Sequence, residues 1–96
     1  MINIINQLFE IERKAKDQNI AIFERNFDRI KNELDTLGFI INDPIGKIYD
    51  PRDTSIEANI VGNSSSPKVV KVMKPAIFQK DGEGILLIQK GIIIAE

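Results

Sequence analysis

The stretch GKIYDPRDTSIEA, residues 46–58, separates two kinds of periodicity in this chain. Gly46 and Pro51 are backbone-turn residues, and Asp50, ahead of Pro51, opens a turn whose backbone N–H groups its own carboxylate can satisfy. Tyr49 is the side chain that such a bend packs inward. From Ile56 the pattern alternates, with Ile56, Ala58 and Ile60 against Glu57 and Asn59, as in a half-buried strand. Helical spacing precedes the stretch and short β-branched runs follow it. It therefore reads as the bend joining a helical half to a β half.

Working back from the bend, Ile20, Phe23, Phe27, Ile30, Leu34 and Leu37 recur at alternating spacings of three and four. That spacing puts all six on one stripe and predicts a helix over 20–37, with Gly38 as a left-handed C-cap. Ile4, Ile5, Leu8, Ile11 and Ala15 form a second stripe, less regular because Phe9 lies off it. The frame breaks at Asp17-Gln18-Asn19, which predicts a short turn with Asp17 or Asn19 as N-cap of the second helix. One helix with a local stutter is the alternative. A small sheet cannot cover both helices, so Phe23, Phe27, Ile30 and Leu34 are expected to meet a second copy of the chain.

From Phe39 the period changes, and FII (39–41), GKIY (46–49), IEANIV (56–61), VVKVM (69–73), ILLI (85–88) and IIIA (92–95) are strand-like runs separated by turn formers. Val70 and Val72 are expected on one face of their strand with Lys71 on the other. Residues 79–84 read as a hairpin tip, and the last two runs as the core of a small sheet. With no helix between them, the six strands should form one mostly antiparallel sheet. The expected class is α+β: a helical dimerisation segment, 1–38, then a small β-domain, 39–96.

The composition excludes several functions. The 96 residues carry a formal charge of −1 and contain neither Cys nor His. Thiol chemistry, imidazole acid–base catalysis and Cys/His metal sites are absent, and there is no basic excess for nucleic acid. The N-terminal MINIINQLFEIERK has the form of neither a signal peptide nor a membrane span, so a cytoplasmic protein is expected. Asp50, Asp53 and Glu57 lack the alternating donors of a calcium loop. DGEG (81–84) lacks the strand-then-helix setting of a phosphate cradle, and Ser64–Ser66 have no base partner. Lys68, Lys71 and Lys74 form a basic row that either protects a strand edge or meets an acidic surface. The chain reads as a binding or assembly module, not an enzyme, with no metal and no cofactor.

The helix ending in LDTLGF followed by GKIYDPRDTSIEA resembles the C-terminal part of the GrpE family of nucleotide-exchange factors. Gly46, Tyr49, Asp50, Pro51, Glu57 and Ala58 match in order and spacing that family's Gly-x-x-[Phe/Tyr]-Asp-Pro step and its later Glu-Ala pair. VVKVMKPAIFQKDGEGILLIQKGIIIAE is similar to the family's closing β-segments, and LFEIERKA to its short Asn-x-Glu-Arg-Ala type helix. The resemblance spans nearly all of this chain and the second half of a typical member. It departs from the family at Ile56, where a His is usual, and at Ser66-Pro67-Lys68, Lys74-Pro75-Ala76-Ile77 and Ile88-Gln89-Lys90. It implies a homodimer whose β-domain contacts the nucleotide-binding domain of a DnaK-type chaperone and promotes ADP release. The contact is expected on the β-domain's rim, at Lys71, Lys74, Lys80, Glu83 and Ile94. The alternative is a protein-interaction adaptor that keeps the fold without exchange activity.

Overall fold

A left-handed residue closes each helix. Helix α1 (Ile2–Asp17) ends at Asn19, whose N–H donates to the Lys16 carbonyl (3.0 Å) and whose φ of 55° turns the chain so that the Ile20 N–H reaches the Ala15 carbonyl (2.8 Å). These paired bonds make a Schellman motif, so Asn19 stops the first helix and does not cap the second. Ile20 is thereby held outside helix α2 (Glu24–Thr36), whose N-cap is Phe23 with no side-chain cap bond. The expected start at Ile20 and the Asp17 or Asn19 cap are corrected by that motif. At the far end Gly38, φ 92°, donates to the Asp35 carbonyl at 2.9 Å, the glycine stop the sequence predicts.

The computed structural model describes residues 1–96 and follows the helices with six strands in two three-stranded sheets. Strands β1 (Phe39–Asn42), β4 (Ala76–Asp81) and β5 (Gly84–Gln89) form an antiparallel sheet in the order β1-β4-β5. Strands β2 (Ile56–Ile60), β6 (Gly91–Ala95) and β3 (Val69–Lys74) form the other in the order β2-β6-β3, with β2 parallel and β3 antiparallel to β6. The α+β class with helices first and mostly antiparallel strands is what the structure shows.

Two sheets arise where one was expected because a long hairpin is folded across its middle. Strands β3 and β4 are separated only by Pro75, which has no N–H to continue a ladder; β5 and β6 are separated only by Lys90. At the fold, Gly91 lies so close to the facing strand that a Cβ would stand 3.1 Å from the Ala76 nitrogen. Each half of the bent hairpin then acquires a third strand. GKIY is not one of them: its only ladder-type contact is an isolated bridge, Ile48 to Lys68. The sixth strand is instead 76–81, which pairs on both sides.

Strand β3 is bulged twice. Val69 faces Ala95, Lys71 faces Ile94, Val72 faces Ile93 and Lys74 faces Ile92, leaving Val70 and Met73 as extra residues. Each bulge shifts the inward phase by one residue, so Val69 and Val72 share the buried face while Val70 turns outward. The expected Val70–Val72 pairing is corrected by these bulges.

Helix α1 spans both sheets. Ile5 joins Leu34 and Ile77 in one core cluster, and Phe9 packs on the other, built from Val69, Val72, Ile93 and Ala95. Two polar ties fix its position. Asn6 and Gln89 exchange amide hydrogen bonds of 2.8 Å, and Arg13 Nη1 donates to the Val72 carbonyl at 3.2 Å.

Candidate functional site

The bend at 46–58 is seated on the outer edge of β3. Gly46, φ 79°, turns the chain so that its N–H donates to the Val69 carbonyl, and the Val69 N–H returns a bond to Lys47, both at 2.8 Å. The Tyr49 N–H donates to the Pro67 carbonyl at 2.8 Å, and the half-buried Tyr49 ring packs on the cluster around Val69 and Ile93. The family-type Gly-x-x-Tyr segment thus lies as a short extended strip along residues 67–69, where the chain enters β3.

The carboxylates that follow are held by local partners. Asp50 Oδ1 accepts the Arg52 N–H at 2.9 Å and Arg52 Nε at 3.1 Å, and Oδ2 accepts Nη2 at 3.2 Å. Hydrogen bonds from the Arg52 side chain, then from its backbone N–H, hold the Asp50 carboxyl below the usual aspartate range. Asp53 Oδ1 accepts the Ser55 N–H at 2.9 Å and its hydroxyl at 2.6 Å. Glu57 faces solvent on β2, 3.8 Å from Lys90 Nζ. The three carboxylates therefore face different partners and do not converge on a common point.

The expected rim residues divide into two groups on either side of the Pro75 bend. Lys71 and Lys74 are exposed on β3, with the half-buried Ile94 opposite Lys71 on β6. Lys80 and Glu83 are exposed at the β4–β5 hairpin tip. They do not form one continuous surface, because the folded hairpin sends its two ends to different sheets.

The α2 stripe is divided as well. Phe27 and Leu34 are buried within this chain, at 7% and 5% exposure, so they are not free to meet a partner. Phe23 and Ile30 remain 45% and 43% exposed, and Leu37 continues their seven-residue spacing. Phe23 also contacts Phe27 edge-to-face, with ring centroids 6.3 Å apart.

Beyond Val69 the β3 edge opens into a groove of about 660 Å³ between α1 and β3. Phe9, Ile45, Val70 and Val72 supply its apolar lining, and Arg13, Lys14, Lys16 and Lys71 its cations. Among its acids, Glu12 is bound by Lys31 Nζ at 2.6 Å and Asp43 Oδ1 accepts the Ile45 N–H at 3.2 Å. Of these residues only Lys71 is expected at a binding surface from sequence. The one signal for the others is Phe9, off the α1 stripe because it turns toward the second sheet. A smaller cavity of about 290 Å³ lies between α1, α2 and β1, lined by Leu8, Lys31 and Ile40 among others.

The chain matches no family model, no curated protein and no solved structure.

Proposed function

We propose that the chain is a GrpE-like nucleotide-exchange factor that promotes ADP release from a DnaK-type chaperone, with no chemistry of its own. The observation that carries this reading is the seating of the Gly46–Pro51 segment. The residues that resemble the family motif occupy the positive-φ turn, the packed aromatic and the Asx-type turn on the segment that links β1 to β2. The mechanism is a population shift: a factor binding the open, nucleotide-free chaperone more tightly than the closed one favours release. Lys71 and Lys74, exposed on β3, are the cations proposed to face it.

The factor works as a homodimer in this proposal. The single chain exposes 6892 Å², whereas a compact monomer of its mass exposes about 5500 Å². The excess is on the scale of the roughly 800 Å² each partner buries in a standard interface. Phe23, Ile30 and Leu37 are the α2 residues left to enter it. No helix is long and apolar enough to cross a membrane, and the proposed location is the cytoplasm, where such chaperones work.

The test is stopped-flow release of labelled ADP from the DnaK-type chaperones of the same cell. Acceleration by the folded wild type, weakened by Lys71→Glu with Lys74→Glu and more so at low salt, is the expected result. No acceleration of any of them overturns the exchange reading. It favours the adaptor reading, which the division of the expected rim between two sheets supports.

A further inference from the structure

The outer edge of β3 is covered by the chain's own backbone only at its first residue, Val69. Residues 46–49 run along residues 67–69 and exchange backbone hydrogen bonds as far as Val69. Past that point the edge continues into the α1–β3 groove, where two bulges leave Val70 and Met73 without partners on β6. Val70 is exposed at the groove wall, and the Val72 carbonyl points outward to Arg13.

The groove's charges are unequal in availability. Glu12 and Asp43 are engaged by Lys31 and by the Ile45 N–H. Arg13, Lys16 and Lys71 have no ion-pair partner, against two lining carboxylates without a cation partner, Asp17 and Asp43, so the groove keeps an excess of positive charge. Lys14 is held only by Glu10, through an exposed i,i+4 pair of a kind that contributes little. An apolar floor, a strand edge whose residues 70–74 bond to no backbone outside their sheet, and two available lysines define one kind of occupant.

We propose that this groove binds an extended, acidic and apolar segment of a partner protein, which continues along β3 the strip begun by residues 46–49. Alternate apolar side chains would lie on Phe9, Ile45 and Val70, and the acidic ones in between would reach Lys16 and Lys71. Strand addition at a sheet edge supplies the affinity through the backbone and the specificity through alternate side chains. The inference deepens the proposed chaperone contact, since Lys71 belongs to both. It is tested without a chaperone or nucleotide, so the two readings fail separately.

The probe is a blocked heptapeptide alternating Glu or Asp with Val, Ile or Leu, titrated into ¹⁵N-labelled full-length protein. Its counterpart carries Lys at every acidic position. The expected result is saturable amide shifts centred on Phe9, Lys16, Ile45 and Val70–Val72, at least tenfold weaker binding in Lys16→Glu with Lys71→Glu, and no saturable shift with the lysine peptide. Both lysines are exposed, and retained spectral dispersion in the double variant, or in Lys16→Ala with Lys71→Ala, keeps the comparison valid. Absence of saturation at millimolar peptide, shifts centred elsewhere, or equal binding of the lysine peptide overturns the proposal. So do groove shifts that depend on protein concentration alone, which would assign the groove to a second copy.

Discussion

ILLI (85–88) and IIIA (92–95) are nearly the same in composition and lie four residues apart on one bent strand pair, yet their surroundings are opposite. Ile85 and Leu86 are 62% and 55% exposed, whereas Ile93 and Ala95 are 1% and 0% exposed. Strand β6 is central, flanked by β2 and β3, and Phe9 of α1 lies on its sheet; β5 is an edge strand whose tip runs beyond the end of β1. Burial here follows from position in the sheet order and not from the hydropathy of the run.

The widest gap is expected between truncations at the two runs. Ile93→Ala should lower the unfolding free energy by about 3 kcal/mol through lost burial and a residual cavity. Leu86→Ala should lower it by less than about 1 kcal/mol, as at other exposed sites. Urea midpoints for the pair check this, and equal losses would dissolve the distinction.

The glycines sharpen it further. Gly91→Val should cost about 2 kcal/mol, because its side chain would press on the Ala76 backbone in a packed bend. Gly46→Val meets nothing within 4 Å, so its cost should be backbone strain alone, about 1–2 kcal/mol. Gly46→Asn should recover most of that in thermal melts, since Asn tolerates positive φ. A fully neutral Gly46→Val would mean that the turn is not left-handed.

A smaller effect is expected where α1 is tied to the open sheet. Asn6→Ala removes both 2.8 Å bonds to Gln89, which keeps its 2.9 Å bond to the Pro75 carbonyl. The loss should be about 1 kcal/mol, and it should be read most clearly as faster amide exchange near Gln89. Protection unchanged there would show that packing alone fixes α1 on this sheet.

The smallest effect belongs to Asp50. Its depressed carboxyl, held by Arg52, favours the folded state above the ordinary aspartate range and loses that contribution as pH falls through its lowered value. Both groups are exposed, so salt should reduce the effect. In an NMR titration Arg52→Ala should return Asp50 toward the usual range, and an unmoved titration would remove Arg52 as the cause.

The legible parts of this fold were those set by local chemistry. Gly38 as a helix stop, the Asp50 turn and the switch from helical to β runs follow from residues acting on their near neighbours. What sequence could not supply was lateral order. Nothing in ILLI tells that it lies at an edge, and nothing in VVKVM marks two bulges, since both depend on strands about twenty residues away or more. Phe27 and Leu34 share one stripe with Phe23 and Ile30, and periodicity finds that apolar face without saying which part of it the chain covers. The groove was illegible for the same reason: its walls come from α1, the 43–45 link and β3. Asn19 is not legible as a helix stop because Asn serves both helix ends, and only its φ distinguishes them.

The parallel pairing of β2 with β6 sets an order of assembly. The hairpin from Val69 to Ala95 closes outward from the tight turn at Gly82, so each new pairing needs almost no additional loop. Strand β2 has no such neighbour: its partner lies across the 62–68 loop and the entire hairpin. The entropy of that closure has to be met before any ladder bond repays it. Strand β2 therefore gains its partner once the hairpin has closed, when only the 61–68 link separates it from the assembled strands, and the 46–58 bend stays untethered at its C-terminal end until then.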